Sequence, residues 1–218
     1  GDIYESIPTV NNGIDYNNVN YNFSDYYVGM HYRLKSGIFT LSPGFTAHAY
    51  NSKNSQFSVD YSDSFFKILP DFNAIIQLKQ SESIRFNYAM RTQFTDVSKI
   101  AQGLVLNNYN SIFSGDNEIQ NAISHNFNLN YFSFNLFNYT NIFARISYNK
   151  RIDQIRNLTT FESVVASSSP FNSPFADENF SANGRFQRQF GKIRASLSSG
   201  INFSKFNQYI SDINNPSI

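Results

Sequence analysis

The sequence contains no cysteine, no tryptophan and no long apolar run. The missing cysteine excludes disulfides, cysteine-ligated zinc and thiol catalysis. No window approaches the ~18 consecutive apolar residues of a transmembrane helix, so that type of span is excluded. Charged residues make up only 15% and the net charge is +1, which gives no argument for binding nucleic acid. The first residues lack a signal pattern, so we expect any targeting segment to have been removed or to lie outside this sequence.

Motifs of the common enzyme classes are also missing. There is no Gly-x-Ser-x-Gly, no phosphate-binding loop and no dinucleotide fingerprint, so nothing supports an enzyme or a bound cofactor. The three histidines are too dispersed for a metal set; they are His31, His48 and His125. Two carboxylate pairs are candidate cation ligands in loops, although solvated turn residues are the commoner explanation; the pairs are Asp60 with Asp63 and Asp116 with Glu118.

Aromatic residues are abundant, at 17%, and all of them are Phe or Tyr, yet the mean hydropathy is negative at −0.38. The segment 118–150 explains this combination. In Asn126–Phe134 apolar residues alternate with amides, and the alternation resumes over Asn141–Asn149. A period of two gives a strand with one apolar and one polar face. Each arm keeps the alternation for about ten residues, the length that a tilted transmembrane strand needs.

The same alternation predicts eight strands in four hairpins. They are Tyr26–Lys35, Phe39–Ala49, Ile68–Leu78, Ile84–Arg91, Asn126–Phe134, Asn141–Asn149, Phe180–Phe190 and Ile193–Phe203. We expect one β-barrel segment over 1–218, with a loop or irregular lead-in at 1–23, strands within 24–209 and a tail at 210–218. Short turns fall near 36, 81, 136 and 191, and longer connections are predicted at Asn51–Asp63, Thr92–Glu118 and Arg151–Glu178. Alternating short and long connections are typical of outer-membrane barrels.

The polar faces carry Asn, Ser, Thr and Gln with scattered Arg, which suits a water-filled lumen better than the surface of a soluble sandwich. We therefore predict an all-β, antiparallel transmembrane β-barrel that meets outer-membrane lipid. Pairing with lumen acids or plug residues is the simpler role for its inward arginines, and an anionic solute path is the alternative. The candidate path residues are Arg85, Arg91, Asn126, Asn128, Arg145, Arg185 and Arg194. Candidate girdle aromatics are Tyr26, Tyr27, Tyr88 and Tyr148.

Two other architectures fit the pattern less well. One is a soluble or surface-attached β-sandwich that binds glycan or protein, and the other is a small closed eight-stranded barrel. Four hairpins with periplasmic short turns would place both sequence ends on the extracellular side, and the last residues, INNPSI, lack a terminal aromatic. We therefore expect an interior segment of a larger barrel.

Three short motifs support that expectation: Tyr88–Arg91, Gly115–Ile119 and Ser124–Asn126. Through them, Leu69–Lys150 resembles the C-terminal barrel of TonB-dependent outer-membrane receptors, especially the β-barrel subgroup common in Bacteroidota. The sequence departs from that pattern because no proline follows Arg91 and Asp116–Asn117 replaces Asn-Pro. The resemblance implies a 22-stranded parent barrel in a Gram-negative outer membrane, with a plug domain and TonB as partners and an unidentified nutrient as substrate.

Overall fold

Antiparallel strands make up nearly all of the computed structural model, which describes residues 19–56, 58–102, 105–108, 111–116, 118–162, 165–210 and 213–217. Eight long strands pair with their neighbours in chain order. They are β1 (Val19–His31), β3 (Phe39–Gln56), β4 (Val59–Lys79), β5 (Glu82–Gln93), β8 (Ala122–Asn135), β9 (Thr140–Ile152), β12 (Asp177–Phe190) and β13 (Ile193–Ile210). They correspond to the eight predicted strands and are each longer than the pattern indicated, but the predicted strand Tyr26–Lys35 is divided, because β1 ends at His31 and Leu34–Ser36 forms a separate short strand.

Short elements fill the remaining positions. They are β2 (Leu34–Ser36), the helix α1 (Val97–Ile100), β6 (Val105–Asn108), β7 (Ser111–Phe113), β10 (Ile155–Glu162), β11 (Val165–Asn172) and β14 (Ile213–Ser217). β10 pairs with β11, and β11 pairs in parallel with β7, so the two long connections meet at one end of the sheet. No described helix is long and apolar enough to cross a membrane.

Three predicted boundaries are wrong. The segment 51–63 is not a connection, because β3 and β4 stay paired as far as Gln56 and Val59. Residues 19–23 belong to β1, and much of the predicted tail forms β14 on the edge of β13. Residues 1–18, 211, 212 and 218 lie outside the described part of the chain. Polar sequence concealed these strands, because strands beyond an apolar environment need no apolar face.

Two adjacent rows of side chains define the two faces of the sheet. One row is wholly apolar and consists of Ala74, Phe86, Leu129, Ile146, Ala182 and Ile201. The row beside it is wholly polar and consists of Asn73, Asn87, Asn128, Ser147, Ser181 and Asn202. We call these sides the apolar face and the polar face. The predicted alternation is therefore confirmed across six strands.

The apolar face is uncovered. Leu197 is 71% exposed and Val28 is 69% exposed, and within the described ranges no second layer packs on them. A β-sandwich buries this face against another sheet, so the sandwich architecture is not observed. Among the described strands, β1 pairs only with β3, and no pairing joins β1 to β13. The eight strands thus form an open sheet rather than a small closed barrel.

The apolar face has limits along the strands. Its last aromatic row towards the long connections is Phe72, Tyr88, Phe127, Tyr148, Phe180 and Phe203, and the next row contains His125, Lys150, Glu178 and Lys205. On β12 the apolar face runs from Phe180 to Phe190, which is ~34 Å of strand at ~3.4 Å per residue. Arg188 interrupts it close to the short turn, where its guanidinium lies 5.1 Å from the ring centroid of Phe190. With the ~40° tilt of barrel strands this strand length corresponds to ~26 Å of height, close to the ~25 Å apolar band of outer-membrane barrels.

Candidate functional site

The polar face of the central strands is a ladder of side-chain hydrogen bonds. Ser147 donates its Oγ–H to Asn128 Oδ1 at 2.8 Å, and Arg145 Nε donates to Asn130 Oδ1 at 2.8 Å. Asn149 Nδ2 donates to Asn126 Oδ1 at 2.5 Å. Directly opposed residues of antiparallel strands lie ~4.5–5.5 Å apart, which is within reach of such short side chains. The ladder keeps the wall polar and fixes the orientation of its amides.

Two histidines on the polar face are held by aspartates. His31 Nε2 lies 2.8 Å from Asp71 Oδ2, and His48 Nδ1 lies 2.9 Å from Asp25 Oδ1. The ring of His31 crosses β3 directly over Gly44, where an added Cβ would come within 2.2 Å of the ring carbon Cδ2. Glycine is therefore required at this position for His31 to reach Asp71.

The third histidine, His125, lies on the apolar face, where its Nδ1 is 3.0 Å from the hydroxyl of Tyr88. His125 thus lies on the opposite face of the sheet from His31 and His48, and the described residues contain no group of three or more metal-ligating side chains. Asp60 and Asp63, one of the candidate cation pairs, point to opposite faces of β4. They cannot act together as ligands.

A cavity of about 790 Å³ lies on the polar face between β1 and β9. Of the predicted path residues, Arg91, Asn126, Asn128 and Arg145 line it, together with His31 and His48. The other three share the polar face but lie outside this cavity; they are Arg85, Arg185 and Arg194. The structure therefore brings together four of the seven predicted residues.

In the described part of the chain, the five inward arginines do not form the ion pairs with lumen acids that the sequence predicts. Within the described chain none of the five has a carboxylate oxygen within ion-pair distance. The two aspartates of the cavity, Asp25 and Asp71, are held by His48 and His31 instead. Pairing with lumen acids of this chain is therefore not observed, and pairing with residues of a plug domain stays a prediction.

Above this cavity, towards the long connections, aromatic rings occupy the polar face. Tyr50 is only 2% exposed and contacts Phe65, Phe94 and Phe23 at ring-centroid distances of 4.9, 5.2 and 5.8 Å. Phe94 comes from the connection after β5, so the aromatic cluster fastens that connection to the wall. Tyr27 also lies on this face, stacked on His48 at 5.4 Å. Its predicted place in an outer girdle is therefore wrong.

The connection after β5 folds over the polar face and is bonded there. Gln56 donates to the carbonyl oxygen of Ile100 at 3.4 Å and accepts from the backbone N–H of Gln102 at 2.9 Å. The backbone N–H of Thr95 donates to Asn121 Oδ1 at 2.9 Å. Asp96 caps α1, because its Oδ1 accepts a hydrogen bond from the backbone N–H of Ser98 at 2.8 Å. Hydrogen bonds from the backbone and the side chain of Ser98 lower the pKa of the Asp96 carboxyl group.

Beneath this cover lies a second cavity, of about 360 Å³, which we call the loop-end cavity. Two aromatic pairs form its sides, Tyr21 with Phe23 from β1 and Tyr61 with Phe65 from β4. Asn54 of β3 lies between those two strands and is only 6% exposed. Sequence reasoning missed this cavity because 51–63 was assigned to a connection. The paired aromatics at short even spacings in otherwise polar segments were the available signal.

Comparison with known proteins finds similarity in structure but not in sequence. No protein-family model matches the chain, and no curated protein matches it in sequence. Several solved structures match, among them two variants of the FrpB iron transporter from Neisseria meningitidis. The F5-1 variant has a TM-score of 0.62 over 85% of this chain, and the F3-3 variant has a TM-score of 0.58 over 86%.

The open sheet of this chain has the fold of one part of the β-barrel in these outer-membrane transporter structures. This confirms the predicted fold class of antiparallel barrel strands. Sequence identity to both structures is 14%, so the likeness concerns the fold alone, and the chain spans 27% of the length of each.

Proposed function

We propose that this chain forms part of the wall of an outer-membrane transport barrel in a Gram-negative bacterium, and that a nutrient passes along its polar face. The observation that carries the proposal is the division between the two faces. Large apolar side chains are exposed on one face, while the polar side chains of the other are bonded to one another. Water would disfavour such an exposed apolar face, whereas lipid stabilises it.

The connections support an orientation. The four short turns lie at one end of the sheet, and the connections containing β6, β7, β10 and β11 lie at the other. Outer-membrane barrels have short periplasmic turns and longer extracellular loops. The loop-end cavity then opens towards the cell exterior, and the larger cavity lies deeper along the wall.

The resemblance of Leu69–Lys150 to TonB-dependent receptors extends the proposal to the parent protein. A 22-stranded barrel would continue this sheet on both edges, enclose a plug domain and take energy from TonB. The solute path would include Arg85, Arg91, Asn126, Asn128, Arg145, Arg185 and Arg194. Five arginines without a carboxylate partner in the described chain would favour anionic groups of a solute or of the plug.

The decisive experiment is to recover the native polypeptide with an antibody against residues 118–150 and to measure its mass and location. We expect detergent-dependent extraction from the outer-membrane fraction and a mass several times the 25.0 kDa of this chain. A detergent-free species of about 25.0 kDa would contradict both the membrane location and the larger barrel.

A further inference from the structure

The loop-end cavity contains a buried acceptor without a donor. Asn54 is more than nine-tenths buried and lines the cavity, and its Oδ1 has no hydrogen-bond partner in the described chain. A buried polar atom left unpaired is destabilising, so native proteins satisfy most such atoms with a protein group, a ligand or water. Within the described chain, Asn54 Oδ1 is therefore available to accept a hydrogen bond from a molecule in the cavity.

The charges around the cavity indicate what kind of donor it would accept. Asp63 and Glu118 line the cavity, and neither has a basic group within ion-pair distance in the part of the chain that is described. Among the described residues that line the cavity, the only basic side chain is Lys67, whose Nζ lies 5.7 Å from the ring centroid of Phe65. Two carboxylates against one ammonium leave the lining net negative.

The aromatic side chains that line the cavity also favour a positively charged ligand. The faces of Tyr21, Phe23, Tyr61 and Phe65 carry the negative part of the aromatic quadrupole, which attracts cations lying within about 6 Å of the ring centroid. Lys67 already makes a contact of this kind with Phe65. The volume of about 360 Å³ falls within the range of small-molecule sites.

We propose that the loop-end cavity binds a protonated organic amine, with Asn54 Oδ1 accepting an ammonium N–H and the aromatic rings contacting the cation and its alkyl carbons. Asp63 and Glu118 supply the opposing charge at the rim. The inference rests on the proposed transport function, because it assigns a protonated amine group to the extracellular end of the path. None of the five inward arginines lines the loop-end cavity, so they would face anionic groups of the same solute or of the plug deeper along the path. A neutral polyhydroxylated molecule would use the rings and Asn54 but gain little from the carboxylates.

The test is calorimetric titration of the native outer-membrane protein that contains this chain, purified in detergent, with 1,4-diaminobutane and with its uncharged counterpart 1,4-butanediol. We expect the diamine to bind at least tenfold more tightly than the diol and to weaken as salt is raised, because the carboxylates at the rim are screened. Equal affinities, or binding of a maltooligosaccharide without binding of the diamine, would overturn the inference.

Variants locate the site. Asn54→Leu should weaken diamine binding at least tenfold, and Asp63→Asn and Glu118→Gln should each weaken it severalfold. Asp60→Asn is the matched control, since Asp60 is on the opposite face of β4 and should leave the affinity unchanged. Asp63 and Glu118 are exposed, so their variants keep the test valid if Asn54→Leu disturbs the fold. No loss of affinity in either variant would overturn the assignment.

Outer-membrane location is measured separately from diamine binding. A chain that is found in the outer membrane but fails to bind the diamine therefore refutes only this inference and not the proposed function.

Discussion

The central strands and the loop-end region of β1, β3 and β4 use the same backbone structure but distribute their side chains differently. Across β5, β8 and β9, between the row of Ile84 and the row of Tyr88, uniformly apolar rows alternate with uniformly polar rows. Nearer the long connections the polar face carries the buried cluster around Tyr50, and polar residues such as Asn54 and Gln56 are among the most buried in the described chain. Alternation is strict only where one face meets an apolar environment. Beyond that level, packing between loops and wall decides which residues are buried.

The largest expected effect tests the packing in the loop-end region. Replacing Tyr50 by Ala removes a ring that contacts Phe23, Phe65 and Phe94 and leaves a space at a position only 2% exposed. We expect a loss of ~3–5 kcal/mol, the usual cost of truncating a buried aromatic residue. Urea unfolding in lipid vesicles, followed by far-UV circular dichroism, measures it. Tyr26→Ala, at a 70% exposed position on the apolar face, is the control and should cost much less; equal losses would contradict this account of the cluster.

The next effect tests the central strands. Phe86→Arg and Ile146→Arg each place a charge on the apolar face, and should cost ~2–4 kcal/mol if that face meets lipid near the midplane. Asn128→Arg, one residue away from that row on the polar face, should be far milder. The same vesicle unfolding assay compares the three variants. Similar losses at all three positions would show that the two faces are wrongly assigned.

This difference between regions explains how much the sequence could predict. The period of two over Asn126–Phe134 and Asn141–Asn149 is imposed by an environment that is apolar on one side only, so the eight strands and the four short turns were predictable. The extension of β3 to Gln56 and of β4 back to Val59 was not, because neither face there needs to be apolar. The loop-end cavity depends on a connection folding back over the wall, and that contact between distant segments has no local pattern.

For the candidate path residues, the sequence predicted the face but not the partners. Strand parity alone placed all five arginines beside the amides, since side chains two residues apart share a face. It did not predict that His31 and His48 would bind the aspartates of the cavity, because those pairs join β1 to β4 and β3 to β1. His48 and Asp25 are diagonal neighbours on two paired strands, whereas His31 reaches Asp71 across the intervening β3, so strand parity alone specifies neither pair.

A smaller effect tests how the polar face is arranged. Gly44→Ala places a methyl group where the His31 ring lies, so we expect the ring to turn away and its bond to Asp71 to be lost. Because His31 is 54% exposed and has room to move, the loss of stability should be about 1 kcal/mol or less. A double-mutant cycle with Asp71→Asn measures the coupling. Additive effects of the two changes would show that Gly44 does not control this contact.

The smallest effect concerns the cap of α1 in the loop-end region. Hydrogen bonds from Ser98 lower the pKa of Asp96 below its ordinary value of 3.8. The folded connection is therefore more stable when the Asp96 carboxyl group is ionised. The resulting stabilisation is present above pH 3.8 and is lost as the pH falls through the lower pKa of folded Asp96. Exchange of the Ser98 amide hydrogen, corrected for intrinsic rates, should therefore increase relative to amides of β8 on acidification. Asp96→Asn should abolish this pH dependence without changing the central strands, and a persistent dependence in that variant would assign it to another group. Since the cover over the loop-end cavity includes α1, the same measurement reports whether acid loosens the cover while the wall beneath stays intact.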